Sequence, residues 1–122
     1  ARAPLYLALD YISNSTRAQN SKAPLEKLVA WIKGATGNLP QMIVDGYQMN
    51  GMQRPGNDVG ESPLFEAPIG VASLLNAANQ AWVDAIWVRA IRERAANVPK
   101  DSNTETAQLL SVTAMSGHWW AP

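Results

Sequence analysis

The chain has 122 residues, 47% of them hydrophobic, and its ten basic and ten acidic side chains give a formal net charge of zero. This length is typical of one domain, and the apolar content suffices to bury a core. Balanced charge without a basic run argues against a nucleic-acid partner. No apolar stretch approaches the roughly 18 residues that a membrane span needs. Because there are no cysteines and no glycine-rich phosphate-binding motif, disulfides and thiolate metal sites are excluded, and no cofactor is expected.

The first helix is predicted close to the start of the chain, with Pro4 in its first turn. One apolar face is present at helical spacing, formed by Leu5, Ala8, Leu9 and Ile12. Polar residues at 13–16 are expected to end this helix. Because natural domains usually begin with a few loosely held residues, a chain that enters a helix at once is typical of a segment of something longer.

A second helix is predicted to open near Pro24 and to close at Gly34 or Gly37. Its apolar face is formed by Leu25, Leu28, Val29 and Ile32. Short loops between helices favour antiparallel neighbours.

The segment Met42–Met52 has strand character and contains two turn dipeptides, Asp45-Gly46 and Asn50-Gly51. It predicts one short β-hairpin, or an extended excursion rather than a sheet. The next residues, up to Pro63, are predicted to form a loop.

Three carboxylates in this region, Asp45, Asp58 and Glu61, could form a catalytic pair or a metal site. Solvated loop carboxylates are the favoured interpretation, because aspartate is common in loops for turn formation alone.

Helical character returns from Phe65 to Asn76, and a further helix is expected up to Ala95, capped by Asn76 or Asn79. The last turns of that helix carry Arg89, Arg92 and Arg94, where cations complement the helix dipole.

The closing helix is predicted to begin at a capping box, Ser102-Asn-Thr-Glu105, and to end at Gly117. From 107 to 115 nearly the whole circumference can be buried, and Trp119 with Trp120 would seal the end of the core. The coarse prediction is all-α, with about five helices and one short β-hairpin.

No catalytic constellation is complete in these residues. His118 is the single histidine and has no cysteine beside it, so a metal role is disfavoured and no metal ligand is assigned. No serine has the G-x-S-x-G context of a hydrolase nucleophile. Tryptophans can stack on sugars, but core packing is favoured for most of Trp82, Trp87, Trp119 and Trp120.

Four segments, taken in order, resemble glycoside hydrolase family 8. The ending, from Leu109-Leu to Ser116-Gly-His-Trp-Trp-Ala-Pro122, is similar to the family's L-L…S-G-N-W-W-x-P. Phe65–Ala72 and Asn79–Trp82 resemble its F-x-x-P-x-x-V-A and N-Q-x-W segments. The start, Arg2–Tyr11, resembles the family's sequence at the end of its Y-D-A-x-R-x-P motif and just beyond it.

The resemblance implies that residues 1–122 are the C-terminal portion of a single catalytic domain, an (α/α)6 barrel. The family contains mostly secreted or periplasmic inverting enzymes that hydrolyse cellulose-type β-1,4-glucan. Its general-acid glutamate and base aspartate would lie upstream of Ala1, so no catalytic residue is expected in this chain, and the fragment alone should be inactive. The expected partners are the polysaccharide and the N-terminal remainder of the barrel, with no nucleic acid and no membrane.

Arg2 belongs to the family's motif, three residues after the base, and is expected to hold the charge of the base or to bind a sugar hydroxyl. A purely structural arginine is the alternative. Tyr6 and Tyr47 are weaker candidates for substrate binding.

The chain departs from the family pattern at the Tyr-Tyr pair that helps to form sugar subsites, where Ser102 and Asn103 stand. His118 replaces a usual asparagine. Chitosanase, lichenase and xylanase activities therefore stay open. From another class, a non-catalytic helical module that binds carbohydrate or protein also stays open. As a fragment the chain should expose helix faces and be poorly soluble or oligomeric.

Overall fold

A computed structural model describes residues 2–56, 63–95 and 101–119. Within these ranges five α-helices form, α1 (Arg2–Ser13), α2 (Gln19–Ala35), α3 (Pro63–Ser73), α4 (Gln80–Ala95) and α5 (Ser102–Met115), and no strand occurs. Short 3-10 turns lie at Pro40–Met42 and Ala77–Asn79. The all-α prediction is confirmed. In the described ranges, every helix is too short or too polar to cross a membrane.

Helix α3 lies at the centre of the fold. Every residue from Glu66 to Ser73 is buried, and α3 contacts all four other helices. The expectation that nearly the whole circumference of α5 can be buried is wrong within the described residues. That helix buries one face, formed by Ala107, Gln108, Ser111 and Ala114, while Leu109 stays 49% exposed. The reason is that one side of α5 packs on α3 and α4, and no described element covers the opposite side.

Gly70 allows α4 and α5 to approach α3 closely. A Cβ atom at this position would lie 2.6 Å from the Met115 Sδ and 2.8 Å from the Ile86 Cγ2. Both distances are shorter than van der Waals contact, so any larger residue would push the helices apart.

The core consists of two clusters. The first joins α1, α2, α3 and α5 through Leu5, Ala8, Leu9, Leu25, Val29, Val71, Ala72, Ala107 and Ala114. The second joins α2, α3 and α4 through Ile32, Ile43, Ile69, Trp82 and Ile86. Met115 packs against both clusters and so links them.

Helix α2 begins at Gln19, five residues before the predicted opening at Pro24, which lies inside the helix. The prediction is wrong because the proline removes only the hydrogen bond to the carbonyl of Asn20, which is exposed near the helix start. Gly37, rather than Gly34, closes the helix just after Ala35. Gly37 has φ of +60°, and the Asn38 N–H donates to the Lys33 carbonyl at 2.8 Å, as in a Schellman motif.

Among the described residues the predicted hairpin is reduced to isolated bridge positions, of which Tyr47 and Gln53 form an antiparallel pair. A tight turn closes it, in which the Gln48 N–H donates to the Met52 carbonyl at 2.7 Å. The preceding Ile43 and Val44 are buried, and Val44 occupies a further isolated bridge position, so no continuous strand develops in the described residues.

The capping-box prediction at Ser102 is also wrong. Asp101 is the N-cap, and its carboxylate accepts the Thr104 N–H at 2.9 Å and the Thr104 hydroxyl at 3.0 Å. A carboxylate accepts two hydrogen bonds and carries the charge that a helix N-terminus favours, so it displaces the serine one residue later.

The remaining boundaries are close to prediction. Helix α3 ends at Ser73, three residues before the predicted Asn76. The Asn76 side chain caps the 3-10 turn that leads into α4, accepting the Ala78 N–H at 3.0 Å. Gly117 ends α5 with φ of +76° as predicted, and the His118 N–H donates to the Thr113 carbonyl.

Helices α1 and α5 run parallel, because their C-terminal ends lie together and so do their N-terminal ends. At the C-terminal ends, the Trp119 Nε1 donates to the Ser13 Oγ at 2.9 Å, and Trp119 packs against the first core cluster. At the N-terminal ends, Tyr6 and Asn103 line one cavity. The predicted sealing role is thus confirmed for Trp119, whereas Trp120 lies outside the described residues.

Candidate functional site

The first candidate site is a groove between α1 and α5, called here the α1–α5 groove. It encloses about 100 Å³ and is lined by Tyr6, Asn103, Thr106, Ala107 and Leu110. Tyr6 is 52% exposed, so part of its ring is open to a ligand. Parallel packing of the two helices brings Tyr6 beside the position at which the resemblance expects a subsite tyrosine. The groove therefore combines an aromatic face with hydrogen-bonding side chains.

Arg2 is the first residue of α1, one helical turn before Tyr6. Its backbone thus lies at the same end of α1 as the groove. The Arg2 side chain lies outside the described part of the structure, so its expected role stays a prediction.

The second candidate site is an open depression of about 460 Å³, called here the Trp31 shelf. It is lined by Trp31, Tyr47, Gln48, Met49, Asn50 and Gly51. Trp31 is 38% exposed, and its ring meets the Tyr47 ring edge-on, with centroids 5.0 Å apart and an interplanar angle of 80°. An exposed, held indole is a surface on which a flat apolar ligand can stack.

Tyr47 serves the loop as well as the shelf. Its hydroxyl accepts the Val44 N–H at 3.2 Å, and its ring packs against the second core cluster. The two tyrosines predicted for substrate binding line different cavities, since the α1–α5 groove and the Trp31 shelf share no residue.

Sequence reasoning missed Trp31. It stands in an apolar run, but the buried face of α2 is set by Leu25, Val29 and Ile32. Position 31 falls outside the i, i+3, i+4, i+7 series of that face. A tryptophan off the apolar face of an amphipathic helix is the signal that could have identified it.

A third, polar cleft of about 370 Å³ lies between α2 and the start of α4. Glu26, Lys33, Asn38, Asn76 and Asn79 supply its polar lining. The Lys33 Nζ donates to the Asn79 Oδ1 at 2.9 Å and lies 5.9 Å from the centroid of the Trp82 ring. Trp82 itself is buried, which confirms core packing for this tryptophan. The cleft can hydrogen-bond a polar ligand, but its single carboxylate cannot provide an acid and a base together.

The loop carboxylates do not form a described pair. Asp45 is half-buried, and its Oδ1 is buried without a hydrogen-bond partner among the described residues, so the solvated interpretation is wrong for that oxygen. Asp58 and Glu61 lie outside the described residues. In the parts of the chain that the structure describes, no three His, Cys, Asp or Glu side chains cluster in a way that could hold a metal ion.

Glu66 and Arg89 form an ion pair between two helices. The Glu66 carboxylate is 2% exposed and accepts a hydrogen bond from the Arg89 Nε, joining α3 to α4. Arg89 therefore binds a buried charge in addition to any effect on the helix dipole. The side chains of Arg92 and Arg94 lie outside the described part of the structure. His118 is exposed, with its Nδ1 2.9 Å from the Ser116 Oγ.

No family model matches the chain. It is similar to a β-glucanase of Niallia circulans, with 31% identity over 120 residues that cover 98% of this chain and 27% of that protein. It is also similar to an endoglucanase of Bacillus sp. (strain KSM-330), with 28% identity over 124 residues, 100% of this chain and 24% of that protein.

Among solved structures, the fold resembles the apo structure of a β-1,3-1,4-glucanase from Paenibacillus sp. X4. The TM-score is 0.80 and the identity 29%, over 99% of this chain and 30% of that one. The chain spans about a quarter of the length of the curated relatives that it matches. These similarities relate the chain to one part of a glucanase-type glycoside hydrolase.

Proposed function

We propose that this chain is the C-terminal portion of the catalytic domain of a family 8 endo-β-glucanase. The observation that carries the proposal is the fit of nearly the whole chain to part of a β-1,3-1,4-glucanase, with a TM-score of 0.80 and 29% identity. Fold similarity alone does not specify function. Here the sequence identity to two further glucanases points to the same class.

Exposed apolar side chains support a larger domain. Those on α1, α4 and α5 that are more than a third exposed are Leu7, Ile12, Val88, Ile91 and Leu109. Exposed apolar side chains on three helices are the kind of surface that a covering segment would bury. We propose that the N-terminal remainder of an (α/α)6 barrel covers these faces.

The proposed reaction is hydrolysis with inversion at the anomeric carbon. A glutamic acid upstream of Ala1 protonates the leaving oxygen, and an upstream aspartate activates a water on the opposite face of the sugar. In inverting enzymes such carboxyls are about 6.5–9.5 Å apart, which leaves room for the water. This chain would contribute substrate contacts at Arg2, Tyr6 and Tyr47.

Two substrates are proposed. Cellulose-type β-1,4-glucan is supported by the resemblance in sequence, and the Bacillus relative is named an endoglucanase. Mixed-linkage β-1,3-1,4-glucan is favoured by the solved neighbour, which is named for that substrate. A secreted or periplasmic location is proposed, because such polymers do not enter a cell.

The test is hydrolysis of carboxymethyl-cellulose and barley β-glucan by the protein with its upstream segment, measured as released reducing ends. NMR of the first product should show the α-anomer, since the bond cleaved is β. The 122-residue chain alone should release none. A first product in the β-anomer would contradict inversion. No hydrolysis by the longer protein would contradict the enzyme and favour a non-catalytic module.

Arg2 is tested in the same longer protein. Arg2→Ala should lower kcat/KM at least about tenfold, because a hydrogen bond to a charged group is lost. Arg2→Lys should recover only part, because it keeps the charge but not the planar fork. Arg17→Ala, at an exposed position between α1 and α2, is the matched control. Unchanged kcat/KM in Arg2→Ala would assign Arg2 a purely structural role.

A further inference from the structure

We propose that the Trp31 shelf is a β-glucan-binding surface, on which one sugar ring stacks on the exposed face of Trp31. The ligand class rests on the proposed function. The location rests on the geometry of the shelf.

Two contacts hold the indole before any ligand arrives. The Tyr47 ring meets it edge-on with centroids 5.0 Å apart, and Tyr47 is itself fixed by its hydrogen bond from the Val44 N–H. The backbone of Gly51 also lies close to the indole. A Cβ at Gly51 would lie 3.2 Å from the Trp31 Nε1 and 3.3 Å from its Cζ2. A ring already fixed loses little conformational freedom on binding, which favours affinity.

Gly51 is required there for two reasons. Its φ of +84° is a conformation that side chains with a Cβ rarely adopt. The absence of a Cβ also lets the turn approach the indole edge. The turn is closed by a hydrogen bond from the Gly51 N–H to the Gln48 carbonyl at 2.9 Å. The conformation of Gly51 and its lack of a Cβ therefore allow the turn to pack beside Trp31.

The polar rim matches the hydroxyl groups of a sugar. The Asn50 Oδ1 accepts the Met52 N–H at 3.0 Å, which orients this side chain and leaves its NH2 group to donate to a ligand. The exposed Gln48 amide can both donate and accept. Met49, fully exposed, offers a flexible apolar flank.

Among the residues that the structure describes, the lining of the shelf contains no charged side chain. It therefore favours a neutral ligand over a charged peptide or a nucleic acid. A β-linked glucosyl unit presents a flat C–H face and equatorial hydroxyls at its rim. An aromatic face with an uncharged polar rim is complementary to that pattern. The volume of about 460 Å³ is within the range of small-ligand sites.

The test uses cellohexaose and barley β-glucan as probes of sugar binding to the 15N-labelled 122-residue chain. The indole N–H resonance of Trp31, assigned by its loss in Trp31→Phe, should shift saturably with cellohexaose. The Trp119 indole, which is hydrogen-bonded to Ser13, should not move. In affinity electrophoresis with barley β-glucan, Trp31→Ala should bind about tenfold more weakly, because the apolar contact between the sugar ring and the indole is lost. Trp31→Phe should retain part of the affinity. Leu39→Ala, at an exposed position after α2 that does not line the shelf, should bind like the wild type.

An unmoved Trp31 resonance at saturating cellohexaose, or full affinity in a folded Trp31→Ala, would overturn the proposal. The wild-type titration decides the matter even where Trp31→Ala does not fold. Hydrolysis by the longer protein is scored separately. Hydrolysis without a response at Trp31 would contradict sugar binding at the shelf and support the proposed glucanase activity. A response at Trp31 without hydrolysis would support sugar binding at the shelf and contradict the proposed activity.

Discussion

Trp119 and Ser13, 106 residues apart in sequence, are joined by a hydrogen bond of 2.9 Å from the indole Nε1 to the serine Oγ. This contact fastens the end of the described chain to the end of α1. It also fixes the parallel arrangement of α1 and α5, which in turn places Tyr6 beside Asn103 in the α1–α5 groove.

Ser13→Ala should lower the free energy of unfolding by about 1 kcal/mol, because it removes one part-buried hydrogen bond. Trp119→Phe should lower it further, because it also removes apolar contact with the first core cluster. The double variant should cost less than the sum, since both changes break the same bond. Urea unfolding followed by far-UV circular dichroism measures this. Thr113→Ala, whose hydroxyl bonds only its own helix at Leu109, is a control that should show no coupling to Trp119→Phe. Strict additivity of Ser13→Ala with Trp119→Phe would show that the bond does not form.

Arg89→Ala should destabilise the fold by about 3–5 kcal/mol, because it removes a charged partner from the buried Glu66 carboxylate. The combined Glu66→Gln, Arg89→Ala variant should recover part of that loss, since no buried charge remains. Thermal and urea unfolding compare the three proteins. For an exposed pair such as Lys22–Glu26, Lys22→Ala should change stability by less than about 1 kcal/mol. A similarly small effect of Arg89→Ala would mean that Glu66 does not depend on it.

Gly70→Ala should destabilise the fold by about 1–3 kcal/mol, because the new methyl group would overlap Met115 and Ile86. Gly34→Ala is the matched control within α2, where a Cβ meets no atom within 4 Å. That change should stabilise by up to about 1 kcal/mol through helix propensity. Equal effects of the two substitutions in urea unfolding would contradict the close approach at α3.

Stability should fall in acid partly through Asp101. The backbone N–H of Thr104, and then its hydroxyl, hydrogen-bond the carboxylate and lower the pKa of Asp101. The unfolded chain then binds the proton more readily, so this contribution is complete above the unfolded value of about 3.9 and is lost as the pH falls through the folded pKa.

A carbon-detected NMR titration should place the Asp101 pKa below that of an unstructured aspartate. Asp101→Asn should flatten the acid side of the stability profile, because it removes the titrating group. An Asp101 pKa at or above the ordinary value would show that the cap does not form.

Local sequence signals determined much of the helical framework. The apolar spacing of Leu5, Ala8, Leu9 and Ile12 predicts the buried face of α1. The first three are buried, whereas Ile12 is 37% exposed. Gly117 predicts the end of α5, because a left-handed residue with φ of +76° is a local requirement. Such features depend on a few neighbouring residues, so they can be read from the chain alone.

Boundary predictions are wrong where two local signals compete. Pro24 is typical of a helix start, but the packing of Leu25, Val29 and Ile32 stabilises a helix that begins earlier and tolerates the proline. At α5 the adjacent Asp101 and Ser102 both suit an N-cap, and the charged carboxylate takes the position.

The sequence by itself determined an all-α chain, the buried face of α1 and the ends of α2 and α5, because these depend on contacts within one or two helical turns. Only the tertiary structure decided that α3 is the central helix, that Glu66 binds Arg89, and that Tyr6 and Tyr47 face separate cavities. It also decided that Trp31 is exposed beside Gly51. These features arise from pairs of residues far apart in the chain, and no local spacing encodes which distant side chains will meet.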